Sequence, residues 1–137
     1  MISAISVTDK YILQPTLIGK HKKTLEWLSA TVLWKRELTF FQNLLDQFAR
    51  KFQEIEDKQK IGHFQNLIIY YNGELVDSLA SKLRLHEKKL AEMLEFRDES
   101  KTAYFSEHEG LMNELESASN QFTQIKDDLF TFIEKAI

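Results

Sequence analysis

Apolar residues recur at alternating intervals of four and three along two long stretches of the chain. Trp34, Leu38, Phe41, Leu45, Phe48, Phe52 and Ile55 follow this spacing, and Tyr104, His108, Leu111, Leu115, Ala118, Phe122, Ile125, Leu129 and Phe132 repeat it near the C-terminus. Such a heptad interval puts every member on one side of a helix, and that side must be buried against other helices. The pattern predicts a first helix over 21–57 and a third over 99–136. A second, over 62–96, follows from Ile61, Phe64, Ile68, Leu75, Leu79, Leu83, Leu90 and Met93. Its spacing slips at Leu75, Leu79, Leu83, two successive steps of four that disturb a heptad register.

The breaks between helices are signalled by charge and by Gly62, the expected turn lying near residue 59. Asp98 and Ser100 are candidate N-caps for the third helix. Residues 1–20 differ from the rest. Ile2, Ile5, Val7, Tyr11, Ile12, Leu13, Leu17 and Ile18 are interrupted by Pro15 and Gly19, and Pro15 disfavours helix at Gln14. They read as an apolar arm, extended or with one short helical turn. The expected fold is all-α: an elongated antiparallel up-down bundle of three long helices with an N-terminal arm, completed to four or more helices if it dimerises.

The stripes are wider than a two-stranded coiled coil needs. Trp27, Leu33, Phe40 and Leu44 form a second row on the first helix, and Ile69 and Val76 do so on the second. Contiguous apolar surface of this kind is rarely left open to water. These six residues are therefore the candidate interaction surface, to be covered by the arm, by a second copy in a homodimer or by another helical protein.

Composition narrows the classes without naming one. The 137 residues fit one domain, and 43% hydrophobic with 28% charged residues is a globular balance. Cysteine is absent, which removes disulfides, a thiol nucleophile and thiolate metal sites, and fits a cytoplasmic location. A net charge of -3 with dispersed Lys and Arg argues against nucleic acid as a partner. No stretch has the length of a membrane span. The one dense basic cluster, Lys20 to Lys23, reads as a solvated helix start.

Two histidines, His86 and His108, interrupt the apolar stripes and are the only constellation with chemical interest. With helices turning near 59 and 98, Trp34 falls level with His86, Phe48 with Tyr71, and the two histidines lie about one helical turn, ~5 Å, apart. They are the candidate ligands of a non-haem metal bundle, an alternative to a purely packed core. Neither belongs to the Glu-x-x-His element of di-iron bundles, and no two histidines stand four apart. The neighbouring Glu87, Glu107 and Glu109 are expected to face solvent. His86-Glu-Lys-Lys89 touches the His-x-x-Lys-Gly pattern of phosphotransfer bundles, but Leu90 replaces the glycine. No nucleophile elbow or glycine-rich phosphate loop is present. Asn72, beside Tyr70 and Tyr71, is a candidate register-fixing polar residue. The sequence thus predicts a non-enzymatic interaction or scaffold protein without a cofactor.

Overall fold

The computed structural model describes residues 15–96 and 102–137, and among them every long element is helical and none is a strand. α1 spans Pro15–Phe48, α2 Ile55–Tyr70, α3 Val76–Glu95 and α4 Thr102–Glu134. A 3₁₀ turn, Ala49–Lys51, follows α1, and a π turn, Tyr71–Leu75, joins α2 to α3. The all-α bundle expected from the heptad spacing is the fold observed.

The helix bounds differ from the expected ones at two places. α1 starts at Pro15 rather than near residue 21. Proline suits the first position of a helix, where its missing N–H would have no partner and its φ is already helical. Leu17 is consequently buried in a helix rather than carried on an extended arm. The rest of the arm, residues 1–14, lies outside the described residues, as do Asp98 and Ser100. The first turn also falls earlier than residue 59. Phe52 adopts an extended ψ of 116° and Glu54 one of 146°, so the helix is already broken there. Ile55 therefore begins α2 and is 75% exposed instead of closing the stripe of α1. Glu56 and Asp57 in the first turn of α2 complement the positive end of its dipole. Gly62 lies inside α2 and caps nothing.

The chain forms two compact units. The first comprises the described parts of 1–31 and 79–116; the second comprises 32–78 and 117–137. In the second unit, α1 runs antiparallel to α2 and to the start of α3, since Asp46 meets Gln65 of α2 and Lys35 meets Asp77 of α3. α1 and α4 run parallel there, as Glu37 meets Lys126 and Phe41 meets Phe130. Its interior is aromatic. Trp34 packs on Phe122 with centroids 5.7 Å apart, Phe52 stacks on Phe132 at 4.4 Å, and Phe64 meets the same ring at 5.5 Å. Trp34 is thus level with the Val76 region and not with His86, because the earlier turn shifts the pairing of α1 by about two helical turns.

In the first unit, α3 and α4 are antiparallel, with Lys82 beside Glu114 and Lys89 beside Glu107. Leu17, Leu90, Ala91, Met93, Leu94 and Tyr104 form one apolar cluster, flanked by Ile18 and Phe105.

The register slip of the second predicted helix is present, but at another step. Ile61, Phe64, Ile68 and Tyr71 are buried, and the next buried residue is Val76, five positions on. From Val76 the regular steps resume through Leu79, Leu83 and His86. The π turn absorbs the extra residue. Val76 is in this way a core residue, 1% exposed, and not part of an outer row.

Candidate functional site: a buried histidine network

All the buried polar and charged side chains among the described residues belong to the first unit: His21, Thr24, Thr31, His86, Glu87 and His108. The two threonines are satisfied locally, each donating its hydroxyl to a backbone carbonyl one turn back, on Lys20 and Leu28. The other four, with Tyr104 and Glu107, form a polar network inside an apolar shell.

α3 supplies His86 and Glu87, and α4 supplies Tyr104, Glu107 and His108. His86 is fully buried. Its ring lies parallel to Tyr104, 4.3 Å away and within 3°. Its Nε2 is 2.8 Å from Nδ1 of His108. The two imidazole centroids are 4.9 Å apart, farther than the stacked His86–Tyr104 pair, so the histidines meet edge to edge, nitrogen to nitrogen. The histidines expected about one turn apart are in direct contact.

Glu107 fixes the protons. Its Oε2 accepts from Lys89 Nζ at 2.6 Å, and its Oε1 lies 3.3 Å from His86 Nδ1. Burial works to raise the Glu107 carboxyl, but the hydrogen bonds from Lys89 and His86 outweigh it and hold it below its usual value. An ionised carboxylate only accepts, so His86 Nδ1 carries the proton and Nε2 a lone pair. His108 Nδ1 must then donate to that lone pair, which leaves His108 Nε2 bare. Both rings are neutral near pH 7: burial lowers His86 against the pull of Glu107, and burial first, then the repulsion that a protonated His86 and Lys20 would exert, lowers His108 to about 4.

A second branch runs from α1. His21 Nδ1 lies 2.7 Å from Glu87 Oε1. Burial pushes the Glu87 carboxyl up, and the hydrogen bond from His21 opposes it. Glu87 Oε2 and the Tyr104 hydroxyl are buried without a hydrogen-bond partner. Burial, with Glu87 and Glu107 nearby, raises the Tyr104 hydroxyl far above its usual range, so it stays protonated.

Two sequence expectations are corrected here. Glu87 does not face solvent; it is 8% exposed and bonded to His21. Glu107 is half-buried and orients His86, whereas Glu109 is exposed as expected. His21 is hidden in a run of lysines, yet Leu17, His21, Thr24, Leu28 and Thr31 keep a four-three interval of their own, one position out of phase with the stripe that begins at Trp34. The signal was the spacing, and polar side chains masked it.

Among the described residues, no three His, Cys, Asp or Glu side chains are placed to share a metal ion. The ring of His86, which the phosphotransfer pattern would need to be exposed, is fully buried.

The proposed surface divides. Leu33 and Phe40 are 56% and 58% exposed, Leu44 is half-buried, and all three share one side of α1 in the second unit. Phe40 meets Phe41 edge-on at 5.7 Å, and Phe41 meets the half-exposed Phe130 of α4 at 5.2 Å. Ile69 is exposed on α2, Trp27 is half-buried in the first unit, and Val76 is interior. Phe130 was not anticipated, because it falls outside the regular stripe of α4.

No family model matches the chain, and no curated protein or solved structure is significantly similar to it. Among the described residues, no helix is long and apolar enough to cross a membrane.

Proposed function

We propose that the protein is a non-enzymatic helical interaction module that self-associates through the second unit. The observation that carries this reading is the row Leu33, Phe40, Leu44 with Phe130. Two of the α1 side chains remain more than half exposed although the same helix buries Trp34, Leu38, Phe41 and Leu45. Glu37 lies within this row and is tied to Lys126 of α4 at 3.0 Å, so the polar interruption is neutralised. An apolar strip with its one charge paired suits a helix–helix contact.

A two-fold contact between copies is the occupant we favour. Single-chain oligomers are most often two-fold dimers, in which one patch covers itself. The flanks of this patch carry opposite charges, Arg36 on α1 and Asp127 on α4, which a two-fold operation can bring together. The interior histidines serve the fold of the first unit in this reading.

Solution mass tests the proposal. Sedimentation equilibrium is expected to give a dimer for the native chain. The double variant Leu33→Glu, Phe40→Glu is expected to be a monomer with unchanged far-ultraviolet circular dichroism, since both side chains lie outside the core. A native chain that stays monomeric at high concentration would overturn the reading.

A further inference from the structure

The geometry points to His86 and His108 as a two-coordinate site for a soft monovalent cation, with Cu(I) the fitting ion. The inference is independent of the dimer proposal, because it concerns the first unit and not the exposed row of the second.

Two imidazole nitrogens that meet across a hydrogen bond can hold one small acceptor of electron pairs between them. In the structure that acceptor is the proton on His108 Nδ1, at a nitrogen separation of 2.8 Å. Imidazole is a good ligand for copper and zinc. Zinc takes four donors, or three and a water, and three convergent His, Cys, Asp or Glu side chains are lacking among the described residues. A linear d¹⁰ ion needs only the two donors that this pair supplies.

The surroundings resemble those of a metal-binding histidine. Such a ligand typically gives its second ring N–H to a carboxylate, which fixes the tautomer and presents the other nitrogen. Glu107 does this for His86, with Lys89 holding its other oxygen at 2.6 Å. His86 Nε2 is therefore bare before any ion arrives. His108 needs only to move its proton from Nδ1 to Nε2, so binding releases no net proton. Replacing the proton by a metal requires nitrogens ~4 Å apart, twice a metal–nitrogen bond of ~2.0 Å. The pair must open by about 1 Å. His86 is pinned against Tyr104 and is fully buried, while His108 is 7% exposed, so His108 is the ring that moves and the side from which an ion enters.

The test uses the full chain without an affinity tag, kept anaerobic and titrated with Cu(I) against the coloured chelator bicinchoninate. The expected result is one equivalent withdrawn per chain. His86→Gln and His108→Gln should each weaken retention by more than tenfold while helicity by circular dichroism is kept. X-ray absorption on the native Cu(I) complex should show two nitrogen scatterers in a two-coordinate edge, a readout that survives if either variant misfolds. Zn(II) should not be retained by the same residues. Failure of the native chain to compete with the chelator would overturn the inference. So would equal retention by folded variants, a coordination shell of three or more donors, or zinc held by the pair.

Discussion

The two units solve one problem with different materials. The second fills its interior with rings, where Trp34, Phe52, Phe64, Tyr71, Phe122 and Phe132 pack on one another. Its buried hydroxyl, on Tyr71, donates to Gln121 Oε1 at 3.1 Å. The first unit places three histidines, a glutamate and a tyrosine at corresponding depth. Rings need only volume and shape, so small errors cost little. Buried polar groups need partners at defined positions, and each one missing is expensive. The first unit is consequently the more specified of the two and the more sensitive to its medium.

Cutting a ring from the second unit should have the largest effect. Phe132→Ala removes the partner of both Phe52 and Phe64 and should cost about 3–5 kcal/mol, read from the urea midpoint. A loss below 1 kcal/mol would mean that this unit does not depend on its rings.

Acid should separate the units next. His108 has a folded-state value of about 4 against an ordinary 6.5, so the unfolded chain binds the proton first. Stability from the neutral ring is fully present above pH 6.5 and falls as pH drops towards 4. The loss should reach about 3 kcal/mol at most, at ~1.4 kcal/mol per pH unit. His86 is lowered in the same direction and adds to it, and Glu107, held low, adds a further loss as pH falls below 4.5. Glu87, raised by burial, works the other way, because the folded chain takes up its proton more readily. His86→Leu with His108→Leu should flatten the slope between pH 6.5 and 4. At pH 7.5 the single variant His86→Leu should cost ~1–3 kcal/mol, since it orphans His108 Nδ1–H. The double should cost less than the two singles summed. A native slope that the double variant leaves intact would place the acid sensitivity elsewhere.

The smallest effect tests whether tight helix approach matters in the first unit. Gly110 lies inside α4, about two turns from its start, and a Cβ built there meets nothing within 4 Å. Gly110→Ala should therefore stabilise by ~0.5–1 kcal/mol through helix propensity. Destabilisation would reveal a close approach.

The bundle was legible in the sequence because burial of helices imposes a period. Tyr104, His108, Leu111, Leu115, Ala118, Phe122, Leu129 and Phe132 are all buried, and only Ile125 of that stripe is half-buried. The contact of His86 with His108 was legible too, since α3 and α4 pair about the expected turn. The rest escaped for physical reasons. The bend at Phe52–Glu54 contains neither glycine nor proline, and Phe52 holds it by stacking on Phe132. Hydropathy does not record that stacking. His21 and Glu87 are hydrophilic residues made compatible with burial by each other, and a one-dimensional pattern assigns each to solvent.

The π turn at Tyr71–Leu75 carries a further implication. Its wider hydrogen-bonded ring inserts one residue without a loop, and Asn72 Oδ1 is buried there without a partner. A continuous helix ordinarily frays from its ends, where backbone groups lack partners. Here a π turn, beside a buried side-chain oxygen without a partner, lies far from both ends. Amide protons of this stretch are expected to exchange with water from within the helical run, and hydrogen exchange no faster than in the flanking turns would show the π turn to be as firm as its neighbours.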